Sequence, residues 1–231
     1  MSTLTTRIRS VAEVQADEPV LAQLRALVGL SWEQPVPLLD DALTHVDSML
    51  LGRDERGALV GFMTWRLKTA VTSAGERFNA VYAGLGAVDA AWQGQGLGKQ
   101  VIYGGIEAGI EELSQRPGTS SAKPVVWTTT ASPVGYLGLA KRFAKGFNPR
   151  ADGSYDAAVL PMLEALKSML GARPEHADPH PFVLRAFSSK RYVARTHDAL
   201  TQVVEQKKLP LFVDHHVDER SGDRLVLLFD P

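Results

Sequence analysis

A mixed α/β fold, with a mostly antiparallel sheet flanked by helices, is predicted for this chain of 231 residues. Apolar, β-branched stretches between turn residues predict strands, and apolar residues at every third or fourth position predict helices. The two kinds of segment do not alternate regularly, because three strand-like segments follow one another before the middle of the chain. The pattern therefore favours antiparallel strands over a regular parallel α/β sheet.

The N-terminal part of the chain is predicted to hold one short strand and two helices. The strand is expected over 6–11. Asp17 is a suitable N-cap and Pro19 suits the first helical turn, so a helix is expected to begin there. Two prolines, at 35 and 37, then interrupt the chain before a second helical pattern over 38–46.

Three consecutive strands and a helix are predicted for the next part. The segments 47–53 and 58–67 flank turn residues and indicate a hairpin, and 78–88 follows as the third strand. The segment 98–113 repeats isoleucine and leucine at a spacing of three and four residues, which is typical of an amphipathic helix. Three glycines inside this helix lower its propensity, and close packing on the sheet would explain them.

The C-terminal half gives a weaker pattern, in which strands and helices are short. The expected elements are a strand at 125–130, a helix from Pro133 to about 146, a helix at 156–170, a strand at 182–187, a helix at 199–207 and a closing hairpin of 211–217 with 224–229.

The composition excludes several classes of protein and site. Hydrophobic residues make up 45% of the chain, enough for a sizeable core. With 25 basic and 26 acidic residues, the chain lacks the basic excess typical of nucleic-acid binding. The absence of cysteine excludes disulfides, thiolate nucleophiles and zinc–thiolate sites. Neither a secretory signal nor a membrane-spanning run is evident, so a cytoplasmic location is expected.

The most informative segment runs from 88 to 99, where glycines alternate at 94, 96 and 98 between a strand and a helix. Glycine permits sharp turns and leaves backbone N–H groups uncovered. At the N-terminus of a helix, such N–H groups attract anions. The segment is therefore a candidate phosphate-binding loop.

Two common phosphate-binding loops do not fit this segment. A Walker loop would need a glycine at 93 and a hydroxyl residue at 100, where the chain has Gln93 and Gln100. The dinucleotide-binding fingerprint needs the spacing G-x-G-x-x-G and a second βαβ unit, whereas the spacing here is G-x-G-x-G.

A third pattern, Q/R-x-x-G-x-G/A, matches the residues from Gln93 to Gly98. This match resembles the acyl-CoA signature of the GNAT superfamily of N-acetyltransferases. Val88 stands where that family has its strand-ending valine, and the upstream sequence Leu59-Val-Gly-Phe62 resembles its second pair of strands. The agreement between the loop, its flanking elements and the upstream hairpin favours this interpretation over a merely structural turn.

The resemblance covers 47–147 well and implies a single GNAT-like domain over 1–231. The implied fold has a central mixed, mostly antiparallel sheet flanked by helices, with a C-terminal elaboration. The segment 148–208 would be an insertion before the closing hairpin, and we expect it to cap the acceptor side.

The resemblance also implies acetyl-CoA, or another acyl-CoA, as co-substrate and no metal. Backbone N–H groups of the loop would hold the CoA pyrophosphate, and strand backbone groups would meet the pantetheine amides. Lys99 would add a charge to a phosphate, or would be an ordinary solvated lysine. The predicted CoA-binding residues are Ala87, Val88, Gln93, Gly94, Gln95, Gly96, Leu97, Gly98, Lys99 and Ser132.

Acyl transfer to an amine requires a proton acceptor, a donor to the tetrahedral oxyanion and a proton donor to the leaving thiolate. The oxyanion donor is expected to be a backbone N–H near the end of the strand 78–88. That strand lacks the carboxylate or histidine base that the family often carries there. The candidates are therefore Glu76, Glu33 and a water relayed by Tyr82, unless the amine arrives neutral; Tyr82 is otherwise a strand aromatic.

For the proton donor, the family commonly uses a tyrosine four residues before a Gly-Phe pair. Here the pair is present at 146–147, but Arg142 occupies the tyrosine's place. Tyr136 lies six residues earlier on the same predicted helix and is the first candidate for the thiolate acid. Packing between helix and sheet is its alternative role.

Two further features leave alternatives open. Gly84 and Gly86 either leave room for the acyl chain or the acceptor, or mark a bulge. The histidines within 175–180 and 214–218 are metal-ligand types, but they lack a recognised spacing. Loop positions or acceptor contacts are expected for them instead of a metal site.

These observations predict an N-acyltransferase that moves an acetyl or other short acyl group to a small-molecule or peptide amine. Because the chain has no cysteine, direct attack in a ternary complex is the simpler mechanism. A CoA-binding module without turnover and an acyltransferase with a carrier-protein donor are the alternatives. Neither nucleic acid nor membrane is an expected partner, and a homodimer is compatible with the sequence.

Overall fold

The computed structural model describes residues 4–93, 96–116, 124–173, 176, 178–187, 190–215 and 217–230. Within these ranges the chain forms seven strands and eight α-helices, which belong to two compact units. The N-terminal unit comprises Met1–Leu67 and Val81–Thr119, and the C-terminal unit comprises Lys68–Ala80 and Ser120–Pro231. The predicted mixed α/β class with mostly antiparallel strands is confirmed.

Four strands supply residues to the N-terminal unit: β1 (Thr5–Ser10), β2 (Ser48–Arg53), β3 (Leu59–Val71) and β4 (Arg77–Val88). Strand β2 pairs antiparallel with both β1 and β3, and β4 is the next strand beyond β3. The predicted hairpin of β2 and β3 is thus confirmed. The last residues of β3 and the first residues of β4 belong to the C-terminal unit.

The turn between β2 and β3 is organised by one aspartate. The carboxylate of Asp54 accepts hydrogen bonds from the backbone N–H groups of Arg56 and Ala58, at 2.9 and 2.8 Å. Gly57 closes the turn at a φ of +80°, a conformation that favours glycine.

Three helices, α1 (Val11–Gln15), α2 (Glu18–Gly29) and α3 (Pro35–Thr44), precede the hairpin. Asp17 caps α2 as predicted, because its side chain accepts from the backbone N–H of Val20. Pro35 does not interrupt the chain as expected. It is the first residue of α3, where its fixed φ is favourable and its missing N–H costs nothing. The apolar faces of these helices pack with β2 residues in a buried cluster.

Helix α4 (Leu97–Gln115) packs on the strands of the N-terminal unit at its glycines. A methyl group added at Gly105 would lie 2.6 Å from Cβ of Met63, which is closer than real side chains approach. A methyl group added at Gly109 would lie 3.0 Å from the indole ring of Trp65. The glycines that weaken this helix in isolation therefore allow its close packing, as the sequence predicted.

The C-terminal unit is built around the strand β7 (Asp223–Phe229), all of whose residues are buried. It pairs antiparallel with β5 (Val125–Thr130) and with β6 (Val183–Arg185). The helices of this unit are α5 (Pro133–Arg142), α6 (Leu160–Met169), α7 (Ala194–Lys207) and α8 (Pro210–Asp214). No helix in the described part of the chain is both long and apolar enough to cross a membrane.

The closing hairpin predicted from 211–217 and 224–229 is not formed. Most of the first segment is helix α8, which begins at Pro210, and the second segment pairs with β5 and β6 instead. A short, continuous run of apolar residues occurs both in buried helices and in strands. Its hydrophobic periodicity therefore does not distinguish a helix from a strand. The proline at the first helical position decides for the helix.

We predict that Gly105→Ala destabilises the protein and that Gly104→Ala does not. Both substitutions gain the helix propensity of alanine, but only the first drives a methyl group into Met63; at 104 the nearest atom is Cδ1 of Leu50 at 3.7 Å. The free energy of unfolding, measured by urea titration, should differ between the two variants by about 1–3 kcal/mol, the usual cost of overpacking. Equal free energies of unfolding for the two variants would show that the Met63 side chain moves aside without a cost in stability.

Candidate functional site

Strand β4 ends at Val88, and the chain turns immediately afterwards. The backbone N–H of Asp89 donates to the carbonyl of Val60 on β3, at 2.9 Å. The Asp89 carboxylate then accepts from the backbone N–H of Ala91, which caps a short 3-10 turn over Ala90–Trp92. The end of the strand is thus held in place by hydrogen bonds on both sides of the turn.

Gln93, the first residue of the predicted signature, connects the loop back to the strand. Its side-chain Nε2 donates to the carbonyl oxygen of Val88, at 3.0 Å. Gly94 and Gln95 lie outside the described residues, as does the side chain of Leu97. The structure therefore assigns the glutamine of the signature a structural contact with the last residue of β4.

Gly96 is the N-cap of α4 and has φ +81° and ψ −13°. Among the residues that the structure describes, no side chain caps this helix, and the sequence of its first turn contains no acidic residue. A helix leaves its first N–H groups without intrahelical partners, and together with the helix dipole they favour an anion. The first turn also contains Lys99, which is exposed. The N-terminus of α4 therefore has the electrostatic character that a phosphate site needs.

Gly98 lies against the end of β4. A methyl group added there would lie 3.5 Å from Cγ1 of Val88, an ordinary van der Waals distance. On the neighbouring strand, a methyl group added at Gly61 would lie 3.2 Å from the carbonyl oxygen of Ala87 and 3.3 Å from Cγ2 of Val88. The structure thus brings Gln93 and Gly98 of the loop against Val88, while the carbonyl of Ala87 faces Gly61 on β3.

The space predicted beside Gly84 and Gly86 is filled by the protein itself. A methyl group at Gly84 would lie 2.7 Å from Oγ1 of Thr64, and one at Gly86 would lie 2.7 Å from Sδ of Met63. The expectation that these glycines leave room for an acyl chain or an acceptor is therefore wrong. They make room for side chains of β3.

The candidate bases lie in different parts of the chain. Tyr82 is partly buried and packs against the core of the N-terminal unit. Glu33 is exposed in the segment between α2 and α3. Glu76 is exposed in the turn between β3 and β4, where its backbone N–H donates to Oγ1 of Thr72, and it belongs to the C-terminal unit. Their roles as base or relay remain predictions.

Tyr136, the candidate thiolate acid, is only 1% exposed in the C-terminal unit. Its hydroxyl donates to the carbonyl oxygen of Pro149, at 3.0 Å, and its ring packs edge-on against Phe147 and Phe212. Burial, with a smaller contribution from Asp152, raises the pKa of Tyr136 to about 12. This geometry favours the packing role over the transfer of a proton to a thiolate.

Ser132, the remaining predicted CoA contact, is the N-cap of α5. Its hydroxyl oxygen accepts from the backbone N–H of Gly135, at 3.1 Å. A serine hydroxyl can accept and donate at once, so this cap leaves its own proton available. The cap also orients the first turn of α5, which contains Tyr136.

The C-terminal histidines form a ring contact. The rings of His180 and His215 have centroids 4.2 Å apart. Nε2 of His180 is 2.9 Å from the carbonyl oxygen of Gly153, and its Nδ1 accepts from the backbone N–H of Phe182. Since both nitrogens of His180 are used, the ring is held neutral. Among the described residues no group of three or more metal-ligating side chains occurs.

We predict that Tyr136→Phe lowers the free energy of unfolding by about 1 kcal/mol, because a buried carbonyl loses its hydrogen-bond donor. For the acyl transfer that the sequence predicts, kcat should change less than about threefold, since a packing residue contributes little differential binding of the transition state. Urea titration and steady-state kinetics test the two parts. A large loss of kcat at an unchanged KM would assign Tyr136 to catalysis after all.

We also predict that acid weakens the C-terminal unit through His180. Burial is the largest cause and lowers the pKa of His180 from its usual value of 6.5. The hydrogen bond with the Gly153 carbonyl partly opposes it, His215 lowers the pKa further by a smaller amount, and Asp178 raises it least. The folded protein therefore binds this proton less tightly than the unfolded chain. The stabilisation is complete above pH 6.5 and is lost as the pH falls towards the lower pKa of the folded state.

Thermal unfolding followed between pH 7.5 and 5 checks this prediction. The His180→Gln variant should show a shallower loss of stability over this range than the parent protein. His45→Gln, which alters an exposed histidine of the N-terminal unit, should leave the pH dependence unchanged. Equal slopes for all three proteins would contradict the role of His180.

Comparisons with known proteins give a structural likeness but no sequence family. No family model matches the chain, and no curated protein matches it. A GNAT-family N-acetyltransferase from Escherichia coli in complex with CoA is 25% identical, with 58% of this chain and 67% of that chain covered, at a TM-score of 0.40.

Two further solved structures show a similar likeness. An IAA acetyltransferase from Bacillus cereus is 15% identical, with 63% and 77% of the two chains covered, at a TM-score of 0.40. An aminoglycoside N-acetyltransferase in complex with CoA is 14% identical, with 62% and 86% covered, also at 0.40. Each of these three matches covers about three fifths of the chain.

Proposed function

We propose that the protein is an acyl-CoA-dependent N-acyltransferase. The observation that carries the proposal is the junction of β4 and α4, where Gly96, in the left-handed conformation, begins a helix for which the described residues provide no side-chain cap. This geometry accompanies the signature Gln93-Gly-Gln-Gly-Leu-Gly98. Both the local sequence and the local geometry support the proposal of an anion site at the end of this strand.

In this proposal the CoA pyrophosphate binds at the N-terminus of α4. Backbone N–H groups within the loop supply hydrogen bonds, but not those of Gln93 and Lys99, which donate to the carbonyls of Ala90 and Gly96. The Lys99 ammonium supplies a compact positive charge. Ala87 and Val88 offer backbone groups to the pantetheine amides. The Val88 carbonyl already accepts from Gln93, but a carbonyl oxygen has a second lone pair for a ligand.

The proposed reaction is direct attack of a primary amine on the thioester. The amine must lose a proton, the tetrahedral oxyanion needs an N–H donor near Val88, and the departing thiolate must gain a proton. An acyl-enzyme on cysteine is excluded because the sequence has none. The acceptor is a small-molecule or peptide amine.

The test is release of CoA from acetyl-CoA across a panel of amines: putrescine, tyramine, glucosamine and a short peptide with a free N-terminus. Turnover with any of them supports the proposal. Tight binding of CoA without turnover would favour a CoA-binding module. The absence of a carboxylate from the sequence of β4 is the observation that favours this alternative. If the acyl group is transferred only when its pantetheine is attached to a carrier protein, the protein would be an acyltransferase with a carrier-protein donor.

We predict that Gly96→Ala weakens CoA binding and that Gly57→Ala does not. Both glycines have φ near +80° with nothing within 4 Å of an added methyl group, so each substitution introduces backbone strain without a clash. The strain costs about 1–2 kcal/mol in either place, and both variants should lose similar stability. Only at 96 does relief of the strain move N–H groups of the anion site.

Isothermal titration with CoA, alongside urea titration, separates these effects. We expect the Kd for CoA to rise at least about tenfold in Gly96→Ala, which corresponds to a loss of about 1.4 kcal/mol in the free energy of binding. Equal affinities in the two glycine variants, at equal loss of stability, would refute the assignment of the pyrophosphate to this helix.

A further inference from the structure

One threonine is buried in the apolar core of the N-terminal unit. Thr64, on β3, is fully buried, and of the described residues in this unit it is the one hydroxyl, amide or charged side chain that is buried. In the register of β2 and β3 it lies opposite Met49, which is also fully buried. Valine has the same shape and would bury no polar atom, so the presence of a hydroxyl here needs a physical reason.

The Thr64 hydroxyl donates to the backbone of the next strand, β4. Its Oγ1 lies 3.0 Å from the carbonyl oxygen of Leu85. Such a side-chain contact is not part of the regular ladder of hydrogen bonds between strands. It ties the peptide between Leu85 and Gly86 to a buried side chain of β3, and it satisfies the hydroxyl that burial would otherwise penalise.

Strand β4 is irregular at the same place. In a regular strand, residues two positions apart face the same side of the sheet and adjacent residues face opposite sides. A methyl group added at Gly84 would meet Thr64, whereas one added at Gly86 would meet Met63, the neighbour of Thr64 on β3. Gly84 and Gly86 therefore face opposite sides. This irregularity is typical of a β-bulge, a feature enriched next to active sites.

The direction of one backbone N–H follows from the threonine contact. A trans peptide unit is planar, so its C=O and N–H groups point in opposite directions. The C=O of Leu85 points to the Thr64 hydroxyl. The N–H of Gly86 belongs to the same peptide and points away from that hydroxyl. The side chain that holds the carbonyl therefore also sets the direction of this N–H.

The length of the pantetheine arm brings this peptide level with the thioester. In the proposed function the pyrophosphate lies at the N-terminus of α4, where Gly98 lies against Val88, and the arm runs back along β4. The arm has about as many chain bonds as four residues of extended backbone. Gly84 precedes Val88 by that length, so the thioester would lie beside the segment from Gly84 to Gly86.

We propose that Thr64 is a positioning residue of the acyl transfer, which holds the Leu85 carbonyl so that the N–H of Gly86 points at the thioester oxygen. This inference rests on the proposed function, and all of its residues belong to the N-terminal unit. Thr64 itself does not touch the reacting atoms. It acts through the peptide that it holds.

The N–H would stabilise the charge that forms on the thioester oxygen. As the amine nitrogen bonds to the carbonyl carbon, the C=O electrons move to oxygen, and a fixed donor stabilises this oxyanion more than the uncharged thioester. The C=O bond then re-forms, and the C–S bond breaks with its electron pair on sulfur. The nitrogen loses one proton and the CoA thiolate gains one, so the products are an amide and CoA.

The kinetic test uses the full chain, acetyl-CoA and the panel amine with the highest rate. Thr64→Val removes the hydroxyl at nearly constant shape. We expect it to lower kcat by about 10- to 100-fold, somewhat less than the loss of an oxyanion donor itself. The Kd for CoA and the KM for the amine should change less than about threefold, because the contact acts on the transition state. Thr64→Ser keeps a hydroxyl and should retain most of kcat.

Ser10→Ala is the control for a general loss of stability. It removes the capping box of α1 in the same unit, and a lost cap destabilises a protein about as much as a lost buried hydrogen bond. Ser10 ends β1, which is separated from β3 by β2. The variant should therefore unfold more easily than the parent protein and keep the parent kcat.

A second measurement needs no variant. In ¹H–¹⁵N spectra of the parent protein, the amide proton of Gly86 should shift between the complex with CoA and the complex with acetyl-CoA, since only acetyl-CoA has the thioester oxygen that this N–H would meet. The same comparison in Thr64→Val should show a smaller difference, because the peptide is no longer held.

A parent-like kcat in Thr64→Val, or a Gly86 amide that does not respond to the acetyl group, would overturn the positioning role and leave the proposed function standing. Equal losses of kcat in Thr64→Val and Thr64→Ser, or in Thr64→Val and Ser10→Ala, would reduce the contact to a structural one. A parent protein without turnover on any panel amine would overturn the proposed function, and this inference with it.

Discussion

The close packing of α4 on the strands of the N-terminal unit is the constraint on which the candidate CoA site depends. Met63, buried on β3, fits between two glycines: Gly86 on β4 and Gly105 on α4. A methyl group at either glycine would lie less than 3 Å from a Met63 atom. Since protein interiors are packed at high density, α4 has little freedom to shift along the strands. Its first turn is therefore held beside Val88, where β4 ends.

The chemistry proposed for the protein divides into two physical tasks. Binding of the pyrophosphate relies on backbone N–H groups and a helix dipole, which depend on conformation and not on side-chain identity. Proton transfer relies on side chains whose environment sets their protonation. Tyr136 shows the opposite use of a titratable group, because its hydroxyl stabilises a buried carbonyl and its ring completes an aromatic cluster.

Most of the local structure could be predicted from the sequence because its signals are local. The strand β5 has the predicted bounds, and the turn at Asp54 and the cap at Asp17 follow from residues within four positions of each other. The failures have different causes. The helix over Pro210–Asp214 carries a local signal, the proline at its first position, which the apolar periodicity of the following run does not show. The space beside Gly86 is occupied by Met63 from another strand, which no pattern within β4 reveals.

The sequence by itself determined the class of fold, the strand–loop–helix junction and the resemblance of that junction to an acyl-CoA signature. Glycine spacing, caps and turn residues act over a few positions, so their meaning survives without tertiary information. Only the tertiary structure decided which polar groups are satisfied and which face outward. Tyr136 meets Pro149, and His197 meets Glu219, across 13 and 22 residues respectively. Hydrogen bonds over such separations depend on how the chain packs, and packing is a property of the whole fold.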